Sequence, residues 1–263
     1  MRIALGLSYR GCVYRGWQSQ PDGVTVQDQL ERALRSFTGA DLRVVCAGRT
    51  DAGVHALQQV VHFDSPVQRP EHSWVRGLNA FLPPDISVLW SRAPGADFHA
   101  QKSALSRRYR YVLLQQGVRP AVLQGLVGWT HRPLQLQAMR EAAAQLLGSH
   151  DFSAFRASSC QARSPVKTLH ALDIACSADE RCWEFDFHAN AFLHHMVRNL
   201  MGCLLAVGSG RRDPAWIGQV LRGRTRSLAA PTFMPDGLYF CGPAYGAQWS
   251  IPEPARELPV LLA

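Results

Sequence analysis

Apolar and polar positions change period several times along the first hundred residues. RIALGLSY alternates and predicts a strand. The loop RGCVYRGWQSQPDG, basic and Gly-rich, carries Tyr14 and Trp17. TVQDQLERALRSFTG then sets Val26, Leu30, Ala33, Leu34 and Phe37 on one helical face, with Thr25 as N-cap, Asp28 three residues on and Gly39 as the stop. LRVVCAG and LQQVVHFD predict two strands around the loop between them. HSWVRGLNAF predicts a helix closed by Pro83 and Pro84, and DISVLWSRA another strand.

The second half repeats this rhythm. RRYRYVLLQ predicts a strand, and LQLQAMREAAAQLLG a helix with Leu136, Met139, Ala143, Leu146 and Leu147 on one face and Gly148 as its stop. TLHALDIACS and CWEFDFHA predict a hairpin. NAFLHHMVRNLMGCLLAVG is apolar on nearly all sides and predicts a core helix. DPAWIGQVLRG predicts a short amphipathic helix starting at Asp213 and Pro214, and GLYFCGPAY a closing strand. Similar element order in both halves predicts a pseudo-duplicated α+β architecture, with one extended sheet or two sheets meeting at a central cleft, and helices behind. The boundary falls in AQKSALS, dividing 1–104 from 105–263.

Composition narrows the partner. The chain has 263 residues, 47% hydrophobic, and a formal net charge of +8. Arg supplies nearly all of the basic residues, Lys only Lys102 and Lys167. Arginine's planar fork suits phosphate and stacks on bases, so a polyanion, nucleic acid first, is the expected partner. No run of about 18 apolar residues predicts a membrane span, and the start lacks a secretory pattern, so a soluble cytoplasmic protein is expected. The seven cysteines are widely spaced with no CxxC pair, which predicts buried reduced thiols rather than a zinc site or a disulfide framework. GxxxxGK[ST], GxGxxG after a strand and GxSxG are absent, which argues against nucleotide hydrolysis, dinucleotide redox chemistry and a serine hydrolase.

Three stretches could carry chemistry. In CAGRTDAGVHA, Asp51 stands among small residues, with Arg49 before it and His55 after it. Gly48 and Gly53 would let a ligand approach the backbone, although Asp and Gly also suit a plain turn. In SRRYRYVL, alternation puts Arg108 and Arg110 on one strand face and Tyr109 and Tyr111 on the other: cations for phosphate, rings for a base, or a surface stripe over two core tyrosines. In NAFLHHMVRN, helical spacing pairs His194 with Arg198 and His195 with Asn199. An Arg on an apolar helix needs an acid, and an ion pair between Arg198 and Asp51 would satisfy both. With no third ligand nearby, satisfied core or RNA-facing histidines are favoured over metal ligands.

The pieces GLSYRGCVYRGWQSQ, CAGRTDAGVHALQQVVHFD, RGLNAFLP, DFHA, SRRYRYVL, DFSAFRA, FDFHANAFLHHMVRNLMG and GLYF run through nearly the whole chain. In order and spacing they resemble the tRNA pseudouridine synthase A (TruA) family, and GRTDAGVHA together with HHMVRN is the specific part. The resemblance implies a pseudouridine synthase fold: a mixed, mainly antiparallel sheet flanked by helices, with an active-site cleft. It implies isomerisation of uridine to pseudouridine at positions 38, 39 and 40 of the tRNA anticodon stem-loop by a homodimer, with no cofactor and no metal. By position it makes Asp51 the catalytic aspartate, Tyr109 the ring that stacks on the target base, and Arg198 the basic partner of the acid. Arg49 becomes the loop arginine that holds or replaces the flipped nucleotide, and Leu238 an apolar pocket contact. The chain departs from the common pattern at Arg10, at Gln101 and Lys102, and at Phe240.

Such a reaction breaks a C–N glycosidic bond, turns the uracil and forms a C–C bond to the same ribose. A paired base must first flip out, and stacking on Tyr109 with phosphate contacts from Arg would offset that cost. The carboxylate could attack C1′, add to C6 or take the 2′ proton. A nucleoside hydrolase or glycosylase, and a non-catalytic RNA-binding protein, are the alternatives.

Overall fold

The computed structural model describes residues 1–255. Residues 256–263, the end of the expected C-terminal half, lie outside the described residues. The chain forms two compact units: Met1–Ser106 together with the described residues from Tyr239 onward, and Arg107–Leu238. Both are α+β with mixed, mostly antiparallel pairing. No helix among the described residues is long and apolar enough to cross a membrane.

In the first unit β1 (Arg2–Tyr9) pairs antiparallel with β3 (His55–Asp64) on one side and β4 (Ile86–Arg92) on the other. The far edge of β3 is shared. The two residues of β2 (Val45–Cys46) pair antiparallel with its later part, and β10 (Leu238–Tyr245) joins its start in parallel, Tyr239 opposite His55. That pairing draws the C-terminal segment into the first unit. α1 (Val26–Thr38) is bounded as its sequence demands: the Thr25 side chain accepts from the Asp28 amide, and Gly39 closes the helix in the left-handed conformation. α2 (Glu71–Asn79) packs on α1 and β4. Its Trp74 is fully buried edge-on between Phe37 and Phe63, each ring 5.5 Å away.

The second unit holds β5 (Ala104–Gln115), β6 (Gly128–Thr130), α3 (Leu136–Ala144), β7 (Gly148–Asp151), β8 (Val166–Cys176), β9 (Cys182–Ala189), α4 (Met196–Gly208) and α5 (Ala215–Gly223). Strand order is β5-β9-β8-β7, with β6 parallel to β5. The hairpin β8–β9 forms as the alternation predicts: Trp183, Phe185, Phe187 and Ala189 of β9 are buried, and the residues between them are not. α3 packs on α4, α5 and β8.

Three predicted spans need correction. LRVVCAG yields only a two-residue strand, because past Cys46 the backbone turns into the Asp51 loop. α3 ends at Ala144: the next turn tightens through Leu146 N–H to Ala143 O, and Gly148 adopts φ 95° to open β7. α4 starts at Met196, not Asn190, so His194 precedes the helix and His195 is its left-handed N-cap at φ 61°. The His195 carbonyl still accepts the Asn199 N–H at 2.9 Å, four residues on. The core placement of α4 holds, every residue but Arg198 being buried. Of the seven cysteines only Cys203 and Cys241 are buried; the others are half-buried.

Candidate active site

The Asp51 loop is fastened by the end of β1, the segment that follows it, and β3. Trp17 N–H donates to Thr50 O at 3.0 Å, and the Thr50 hydroxyl meets the buried Tyr9 phenol at 2.8 Å. Gln59 Nε2 donates to Gly48 O at 2.6 Å, and Ala47 N–H to Val60 O at 2.8 Å. Val54 N–H returns to Asp51 O at 3.1 Å, with Gly53 at φ 82° making the turn. The approach is close enough to demand glycine on the other side as well. A Cβ on Gly16, itself at φ 87°, would stand 2.7 Å from Thr50 O and 3.1 Å from the Asp51 carbonyl carbon.

Asp51 is half-buried and Arg49 exposed on this loop. His55 has a different place. It is 2% exposed, stacks on Tyr239 with centroids 4.6 Å apart, and accepts the Gly11 N–H on Nδ1 at 3.1 Å. Its neutral ring then carries the proton on Nε2.

Tyr109, Arg198 and Leu238 belong to the second unit. Tyr109 is half-buried on β5, edge-on to Phe192 at 5.1 Å. Tyr111, two residues on, is fully buried and donates to Met234 O at 3.1 Å. The two tyrosines thus divide their tasks: Tyr111 holds the core and Tyr109 keeps a partly open ring. The arginine face divides too. Arg110 grips Asp186 with two bonds of 2.7 and 2.8 Å and reaches Glu184 at 3.2 Å, so it is neutralised across the β5–β9 ladder. Arg108 stands opposite His188.

Arg198, half-buried on α4, donates Nε–H to Phe233 O at 2.9 Å, and Phe233 N–H returns to Arg198 O at 3.1 Å. The stretch from Phe233 to Leu238 ties the other residues together. The Phe233 ring lies 5.7 Å from Tyr111, Val112 N–H donates to Gly237 O at 2.8 Å, and the buried Leu238 opens β10. One segment therefore links the helix bearing Arg198 with the strand bearing Tyr109.

Sequence reasoning missed what holds that segment. Asn199 is fully buried; its amide donates to Phe155 O at 2.8 Å, and its oxygen accepts from Thr232 at 2.7 Å and from Arg226 at 3.1 Å. The only sequence signal was a polar residue inside an apolar helix, whose burial calls for partners. His194 is exposed, near Ser159 at 3.2 Å.

Comparison with known proteins agrees with these motifs. A family profile described as tRNA pseudouridine synthase matches residues 8–101 and 142–246. A protein named tRNA pseudouridine synthase A from Methylibium petroleiphilum is 62% identical, the match covering 96% of both chains. Namesakes from Polaromonas naphthalenivorans and Verminephrobacter eiseniae are 59% and 58% identical, with 96% of this chain and 97% of theirs covered. With the profile spanning most of the chain and relatives matching over nearly all of it, the chain belongs to the tRNA pseudouridine synthase A family of pseudouridine synthases.

Proposed function

We propose that the chain isomerises uridine to pseudouridine at positions 38, 39 and 40 of the tRNA anticodon stem-loop, with Asp51 as the essential carboxylate. The isomerase class and the tRNA substrate rest on family membership. The observation that carries Asp51 is its place in GRTDAGVH, on a loop pinned through Thr50 and crowded by Gly16. A carboxylate that must meet one ribose or base atom needs such a fixed backbone, because small misplacements cost large factors in rate.

In this reading Tyr109 stacks on the flipped uracil, and Leu238 lines the apolar side of the pocket. Arg49 contacts the nucleotide or fills the space it leaves. Arg198 is the cation that keeps Asp51 ionised in a dry pocket. The N1–C1′ bond breaks, the uracil turns, C5 bonds to C1′, and the C5 proton leaves as N1 gains one. The change is redox-neutral, and the reading includes no cofactor. It has the chain act in the cytoplasm as a homodimer, one tRNA gripped across both subunits.

The test is tritium release from tRNA transcripts labelled at C5 of uridine, with wild type beside Asp51→Asn. Release by the wild type, none by a variant that still binds tRNA, and no free uracil are the expected results. Free uracil would instead mark a glycosylase. Binding without release from either chain would mark a non-catalytic RNA-binding protein.

A further inference from the structure

The second unit holds a surface cavity of about 590 Å³ that none of Asp51, Arg49, Tyr109, Arg198 or Leu238 lines. Its floor is the C-terminal half of α4, at Gly202, Leu205 and Ala206. One wall is the segment before Phe233, which sits so close to the helix that a Cβ on Gly202 would come 2.2 Å from Pro231 O. The rim is cationic and aromatic: Arg132, Arg211 and Arg212, with the indoles of Trp129 and Trp216. Among the described residues no acidic side chain lines it.

The rim is also set in place. Arg211 and Arg212 both turn their backbone N–H onto Ala206 O, at 3.0 and 3.1 Å. Arg212 lays its guanidinium over Trp216, 5.1 Å from the ring centroid. Trp129 is anchored by its indole N–H to Gln116 O at 2.9 Å. All three arginines are exposed, and among the described residues none lies within ion-pair distance of a carboxylate. Arg110 shows the contrast, since its charge is met within the fold.

We propose that this cavity is a second RNA subsite, taking an unstacked nucleotide of the tRNA other than the reacting uridine: its phosphate on Arg211, Arg212 and Arg132, its base against the indoles. The proposal rests on the tRNA-modifying reading above. Charge decides the class of occupant. Three guanidiniums with no carboxylate partner among the described residues, on a chain of net charge +8, fit a phosphate-bearing ring better than a second copy of the same basic surface. Guanidinium forks match phosphate oxygens in pairs, and a base stacks on indole whatever its identity. The volume lies in the range of small-ligand sites.

The test compares wild type, the double variant Arg211→Gln/Arg212→Gln, and Trp216→Leu. Each is assayed for full-length tRNA binding across a salt series, for tritium release, and for oligomeric state by sedimentation. Loss of two phosphate contacts lowers the slope of log K against log salt by about 1.5, and affinity by about tenfold or more at low salt. Trp216→Leu weakens binding by roughly tenfold with the slope unchanged, the mark of lost stacking. In both variants the loss falls on KM rather than kcat. If wild type releases tritium and the folded double variant matches it in KM and slope, this inference falls while the synthase reading stands. If wild type releases none, the synthase reading falls and takes the inference with it. A change of oligomeric state at unchanged slope overturns the inference in favour of a contact between copies.

Discussion

The Tyr9 phenol and the Thr50 hydroxyl lie 2.8 Å apart in the interior, joining the last residue of β1 to the residue immediately before Asp51. Burial pushes the Tyr9 phenol well above its ordinary pKa, so it stays protonated and able to donate. Tyr9→Phe removes this tie at nearly constant volume. It should cost about 1 kcal/mol of stability and lower kcat for isomerisation by roughly tenfold, with KM for tRNA little changed. Denaturant unfolding and tritium-release kinetics check both. An unchanged kcat would show that the loop is held well enough without it.

Gly16→Ala adds a methyl 2.7 Å from Thr50 O at a residue with φ 87°. Gly23→Ala is the control, since Gly23 has φ 67° and nothing within 4 Å. Both substitutions carry the left-handed cost of roughly 1–2 kcal/mol. Only Gly16→Ala adds crowding, so it should be the worse by at least about 1 kcal/mol, with a further loss of turnover. Equal destabilisation in urea would remove the crowding argument.

Asn199→Leu keeps the branched skeleton but discards three hydrogen bonds, leaving Phe155 O without this donor and Thr232 and Arg226 without this acceptor. The expected cost is about 3 kcal/mol. Asn199→Asp, which can still accept from Thr232 and Arg226, should fall between wild type and Asn199→Leu. Thermal unfolding of the three chains orders them.

His62 supplies a pH signature. Burial, helped by Arg2 and His99, pushes its pKa down from 6.5 to about 4, and its Nδ1 accepts the Ala100 N–H. The folded state holds the ring neutral where the unfolded chain would protonate it. Its contribution to stability is therefore fully present above pH 6.5 and is lost as pH falls from there through about 4. NMR of the ring should show a midpoint near 4, with the denaturation midpoint declining over the same window. A ring titrating near 6.5 would contradict this.

The elements were legible wherever a local rule was complete. α1 carried its own cap, apolar face and stop, and β9 alternated without a break. The pattern predicts an α4 six residues longer than the observed one, because Ala191, Phe192 and Leu193 extend its apolar positions while His195 turns left-handed. The candidate residues were visible as residue types against small or apolar neighbours, but their surroundings were not. His55, close to Asp51 in sequence, is a buried, stacked support; Arg110, a candidate cation for phosphate, is matched by Asp186.

By itself, the sequence determined the α+β class, most element spans, the Arg-dominated charge and the motif stretches that mark the family. Those follow from periodicity, capping and residue chemistry, which act over a few residues. Tertiary structure alone decided that β10 pairs with β3, that Thr50 is held by Tyr9 and Trp17, and that Asn199 gathers Phe155, Arg226 and Thr232. It also decided which arginines are neutralised and which rim an open cavity. Each depends on groups tens to hundreds of residues apart, and hydrogen bonding and charge pairing are satisfied only once the chain has brought them within about 3 Å.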